Sequence, residues 1–64
     1  MMLMVEIQVH LPFQRGDLAS LFHRLGQVEQ EAHNANGIFM RGHIPKSLMG
    51  PFLPYRLPVG TETN

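Results

Sequence analysis

The residues of this chain with the widest chemical range are its histidines, His10, His23, His33 and His43. Neutral imidazole is a common ligand for zinc, nickel and copper. His10, His33 and His43 each fall in a segment of alternating polarity, and the alternation predicts that all three share the polar face of one sheet. They are therefore the candidate metal ligands of the chain. No carboxylate is fixed beside them by spacing, and strand surfaces accept histidine as an ordinary amphipathic residue, so the reading assigns no metal site. His23 stands beside Phe22 on a helix and reads as a partly exposed surface residue.

Four cations are the candidates for contact with a partner: Arg15, Arg24, Arg41 and Lys46. The same parity puts Phe39 and Arg41 beside the histidines, and an aromatic ring with a guanidinium on a sheet can stack single-stranded RNA bases. The preferred alternative is that Phe39 packs under the proline-rich tail, with Phe52 or Tyr55 folding back over that face. Glu6, Glu29 and Glu31 are expected on the same face and oppose nucleic acid there. RNA contact would then fall to the rim residues Arg15, Arg24 and Lys46. Arg15 sits in a short connection between strand and helix, where function often concentrates, with a salt bridge to Asp17 as its structural role. No Ser/His/Asp order, paired-carboxylate spacing or redox motif accompanies these residues, so the chain is read as no enzyme by itself.

The elements that must position these groups follow from periodicity. Val5, Ile7, Val9 and Leu11 alternate with Glu6, Gln8 and His10, which predicts a strand with one buried face. Pro12 ends it, since proline has no N–H for a ladder. Asp17 is the expected helix N-cap, and Leu18, Leu21, Phe22 and Leu25 form one apolar helical stripe assigned to the core. Gly26 is the expected left-handed stop. Gln27 to His33 alternates weakly and reads as a polar edge strand. Asn34-Ala35-Asn36-Gly37 supplies the turn residues of a hairpin into a third strand, Ile38 to Ile44. Pro45 opens a short helix through Leu48, Met49 and Gly50, after which Pro51, Pro54 and Pro58 are expected to leave the chain extended.

The connection from Leu11 to Gln27 exceeds the roughly dozen residues that parallel strands require. Strands one and two can therefore run parallel, with strand three between them and antiparallel to both. The expected fold is α+β: a three-stranded β-sheet with one main helix (βαββ plus a short C-terminal helix), half of a ferredoxin-like sandwich. Residues 1–58 are read as the module and 59–64 as a flexible tail. One helix covers one face of such a sheet and leaves the other open.

Composition narrows the classes. A chain of 64 residues can be one domain and no more, because a chain this short buries only about 60% of the surface its unfolded form exposes. It has no cysteine, which removes disulfides and thiol chemistry. Five basic residues balance five acidic ones, so the whole-molecule field attracts neither nucleic acid nor anionic lipid, and any such binding must be local. No apolar run approaches the roughly 18 residues of a membrane span. A soluble, cytoplasmic protein with no membrane partner is expected, and no targeting segment is read at Met1-Met2-Leu3-Met4.

The run Leu11-Pro12-Phe13-Gln14-Arg15-Gly16-Asp17-Leu18, followed by Leu21-Phe22-His23 and Gly26-Gln27-Val28, resembles the C-terminal segment of HflX-family GTPases. That segment typically reads P-[YF]-x-R-G-[DE]-L before a short helix ending at glycine. The likeness continues through Asn36-Gly37-Ile38 and Gly42-His43-Ile44-Pro45 and covers about Val5 to Arg56. It implies a parent GTP-binding protein with an N-terminal domain, a central P-loop domain and this module, acting at the large ribosomal subunit. The chain has no G-x-x-x-x-G-K-[ST], so GTP and Mg are expected only in the domain it lacks, with no cofactor here. The expected partners are the other domains of the parent GTPase and a protein or rRNA component of the large ribosomal subunit. Two alternatives from other classes are a self-associating βαββ module forming a homodimer and a metal-binding module built on the three histidines.

Overall fold

The computed structural model describes residues 3–58. Strand β1 runs Met4–Leu11, helix α1 Gly16–Leu25, strand β2 Gln27–Asn34 and strand β3 Gly37–Pro45, followed by a short helix α2, Met49–Phe52. The sheet order is β1-β3-β2, with β3 antiparallel to both neighbours. The α+β architecture expected from periodicity is the one observed. Tight 3-10 turns over Phe13–Arg15, Lys46–Leu48 and Leu53–Tyr55 complete it.

The clean alternation of β1 turns Ile7, Val9 and Leu11 to one face, and its pairing with β3 adds Ile38, Met40 and Ile44 to the same face. Leu18 and Phe22 of α1 and Phe52 of α2 close over them. Phe22 and Phe52 meet edge to face with ring centroids 5.7 Å apart, so both helices lie on the same side of the sheet. Strand β2 contributes little to this core: Val28 packs against it, and the strand is otherwise exposed. That strand is held chiefly by its ladder and by polar contacts.

Glycine is required at three close approaches. A Cβ at Gly42 would drive into the Gln27 carbonyl and the Phe22 ring, and one at Gly26 into the His43 and Phe22 carbonyls. Gly37 carries a φ of 152° and lies against the Leu11 carbonyl. The hairpin turn before it is fixed by Asn34, whose Oδ1 accepts from the backbone N–H groups of Asn36 (2.8 Å) and Gly37 (3.0 Å).

Several local expectations are corrected. Helix α1 begins at Gly16, so Asp17 lies inside its first turn, where its charge suits the helix dipole, and its carboxylate turns to Arg15 instead of capping the backbone. Leu25 is 49% exposed and is not core, because no described element covers the last residue of the helix. Gly26 is extended (φ −114°, ψ −166°), so it is selected by space and not by a left-handed turn. The C-terminal segment continues in helical turns across Pro51 and Pro54 to Tyr55, since prolines in the first turn of a helical segment forgo N–H groups that have no partner there. Phe52 and Tyr55 both pack on the core side, so neither folds over the open face, as one of the two is expected to do. The flexible tail expected over 59–64 lies outside the described residues.

Candidate sheet-face interface and helix-strand clasp

Register decides which polar residues meet. On the face opposite the core, β1 presents Glu6, Gln8 and His10, opposite His43, Arg41 and Phe39 of β3. The β2 partners of those three are Gln27, Gln30 and Ala32. Three cross-strand rows result: Glu6–His43–Gln27, Gln8–Arg41–Gln30 and His10–Phe39–Ala32. Facing positions in such rows sit about 5 Å apart, close enough for their side chains to touch.

A β-bulge at Glu29 is the feature that rearranges the expected site. Val28 pairs with Gly42 and Gln30 with Arg41, so Glu29 is the extra residue between them. Its Oε2 lies 2.9 Å from His43 Nδ1, which keeps Glu29 on the open face. Beyond the bulge the parity of β2 is inverted: Gln30 and Ala32 face the open side, and Glu31 and His33 turn toward the helix. The shared face expected for His10, His33 and His43 is therefore overturned. His33 has changed sides, and His10 and His43 occupy different rows. Among the described residues no group of histidines and carboxylates is arranged to hold a metal ion.

Glu31, placed on the helix side by the bulge, joins three elements of charge and ring. Its Oε1 lies 2.7 Å from His23 Nε2 on α1, and its Oε2 lies 2.8 Å from His33 Nε2 on its own strand. Hydrogen bonding by His33, with a further bond from His23, holds the Glu31 carboxyl below the usual glutamate range. His23 is half exposed, as expected, yet it is engaged. Sequence reasoning missed this clasp because its signal, a histidine two residues after a glutamate and another on the preceding helix, carries meaning only once the register is known.

The cations do not gather into one patch. Arg15 is committed locally: its Nε and Nη2 donate to the two Asp17 carboxylate oxygens at 3.0 Å each, the salt bridge expected for it. Its Nη1 donates to the Tyr55 hydroxyl at 3.4 Å, and the guanidinium carbon stands 5.9 Å from the Tyr55 ring centre. Tyr55 packs beside the core and braces Arg15. Asp17, paired in this way, has its carboxyl held below the usual range, chiefly by the Arg15 hydrogen bonds. Arg24, near the end of α1, and Lys46, just after β3, are exposed toward the end of the sheet where β1 begins. Arg41 alone stands in the middle of the open face. Its Nε is buried and finds no acceptor among the described residues.

The two sheet edges differ. Along the outside of β1, Arg56 bridges to Val9 and the Leu57 N–H donates to the Gln8 carbonyl at 2.8 Å, so that edge is partly occupied. The outer edge of β2 has no strand beside it among the described residues. No helix among the described residues is long and apolar enough to cross a membrane.

No protein-family model matches the chain, and no curated protein matches it at a significant level.

Proposed function

We propose that this chain is an accessory docking module of the kind found at the C-terminus of HflX-like GTPases, holding a larger GTP-binding protein at the large ribosomal subunit in the cytoplasm. The observation that carries the reading is the asymmetry of the sheet. Apart from Phe39, Ala32 and the Met4–Pro45 pair at its end, its apolar groups turn toward α1 and α2, and no described helix covers the opposite, largely polar face, which has Arg41 at its centre. The ordered likeness from Leu11 to Leu18 and on to Pro45 supports the family, and the bracing of Arg15 by Asp17 and Tyr55 gives two of those positions a structural role. Nucleotide chemistry belongs, on this reading, to a P-loop domain outside the chain.

Sedimentation of the purified chain with large ribosomal subunits, at low and physiological salt, tests the proposal. Co-sedimentation that survives physiological salt supports an anchoring role. Loss of the chain from the pellet at both salts removes the ribosomal assignment. The self-association alternative is disfavoured by the edges, one partly occupied by Arg56 and Leu57 and the other bulged at Glu29.

A further inference from the structure

The composition of the open face narrows what it can hold. Apart from Glu6, Glu29 and Ala32, the side chains of its rows end in planar groups: the amides of Gln8, Gln27 and Gln30, the rings of His10, Phe39 and His43, and the guanidinium of Arg41. Its apolar members are few: Phe39, Ala32 and, at one end, Met4 opposite Pro45. Phe39 is half-buried, while Phe52 packs against Phe22 on the other side. His10 stands directly opposite Phe39, and Arg41 follows two residues along the same strand face.

Size points the same way. Three strands about 4.8 Å apart and five positions rising about 3.3 Å each define a face of roughly 10 by 13 Å. With its side-chain margins the face offers on the order of 250 Å², whereas a stable protein partner covers about 800 Å² on each side. That area suits two or three nucleotides, the number that aromatic residues on an RNA-binding sheet commonly stack.

We infer that the open face binds two or three bases of single-stranded RNA, stacked on the His10–Phe39 pair, with Arg41 donating to a phosphate oxygen and Gln8 and Gln30 hydrogen-bonding base edges. This inference rests on the docking reading and names rRNA as the component touched. Charge fixes the polarity of the site. Glu6 and Glu29 occupy the row of His43, where Glu29 is already engaged, so phosphate is held away from that row by Arg41, with the bases lying over His10 and Phe39. With one arginine on the face, the logarithm of affinity falls with the logarithm of salt with a slope of about −0.7, or roughly threefold between 50 and 200 mM. Binding is weak, as expected of a face that contributes to a larger assembly.

The test is a nuclear magnetic resonance titration of the isotopically labelled full chain with an eight-nucleotide single-stranded RNA. The expected result is saturable shifts confined to Gln8, His10, Gln30, Phe39 and Arg41, with the His23–Glu31 side undisturbed. Phe39→Leu keeps an apolar side chain but removes the ring, and Arg41→Gln removes the cation; each weakens binding about tenfold. Mapping on the unsubstituted chain stands independently if either variant misfolds. Shifts elsewhere on the surface, equal binding of duplex RNA, or equal binding of a poly-glutamate peptide overturns the inference. Co-sedimentation with subunits but no response to the oligonucleotide also overturns it, while leaving the docking reading in place through a protein contact. Response to the oligonucleotide without co-sedimentation keeps the RNA site and removes the ribosomal reading.

Discussion

His23 on α1 and Glu31 on β2 meet at 2.7 Å, and through the second oxygen of Glu31 the contact extends to His33 at 2.8 Å. This clasp is the polar tie between the helix and a strand whose apolar anchor is Val28. Its sign with pH is defined by the carboxylate. Glu31 is held below its ordinary value of 4.5 in the folded chain, so its contribution is fully present above that value. It is lost as pH falls through the lowered folded value. Urea melts between pH 3 and 7 are expected to show the wild type losing more stability below about pH 4.5 than Glu31→Gln does. At neutral pH the substitution costs about 0.5 kcal/mol, because the imidazoles are largely solvated. That corresponds to a fall in Tm of roughly 2–4 °C for a domain of this size. Identical pH profiles for the two proteins would remove the clasp as a source of stability.

Two glycines should respond in opposite directions. Gly42→Ala forces a methyl into the Gln27 carbonyl where β3 meets β2, and is expected to destabilise by about 1–3 kcal/mol or more. Gly16→Ala has open space and right-handed helical angles, and is expected to stabilise by about 0.4–1 kcal/mol by restricting the unfolded chain. Chemical denaturation of both variants checks the pair, and a neutral Gly42→Ala would contradict the close approach of the strands.

The Phe22–Phe52 pair makes the C-terminal turns part of the core. Phe52→Ala is expected to cost about 3–5 kcal/mol. The entire stability of a domain this size is about 3–10 kcal/mol. A substantial unfolded fraction should therefore appear by circular dichroism at 25 °C. Phe52→Leu preserves most of the volume and is expected to cost less than about 1.5 kcal/mol. Equal behaviour of the two variants would show that the position tolerates a cavity.

Deletion of Glu29 removes the bulge while leaving each neighbouring pair, Val28 with Gly42 and Gln30 with Arg41, in register. The clasp at Glu31 should survive. What changes is the edge, which becomes straighter and loses a charge, so self-association should rise above that of the wild type. Sedimentation equilibrium over a range of concentrations measures this directly. An unchanged mass distribution would mean that the bulge plays no part in keeping the edge free.

The legible parts of the sequence were those with strong apolar contrast. In β1, Val5, Ile7, Val9 and Leu11 announce both the strand and its inward face, and Ile38, Met40 and Ile44 do the same for β3. Leu18 and Phe22 define the buried side of α1, but the stripe extended one residue too far, because Leu25 lies beyond any covering element. β2 offered only Val28 as an apolar marker, so nothing in the pattern could register an extra residue, and the inversion at Glu29 was invisible. His33 lies on the face opposite to the one its alternation predicts, while Arg41 and Phe39 lie where theirs predicts because they depend on β3 alone. Pro51 and Pro54 read as breakers from their type alone, but their positions in short first turns make them compatible with helix.

The segment Arg56–Leu57, laid along the outside of β1, bears on how such a module can be joined to other domains. A three-stranded sheet fused to a neighbour ordinarily brings two raw seams, either of which can stitch to the wrong sheet while the neighbour is still folding. Here the chain hems one seam with its own downstream backbone, and the other is puckered by Glu29. A fusion partner attached at either terminus would then meet one seam partly closed and one puckered, and engineered transplants that trim the chain before Arg56 would reopen the first.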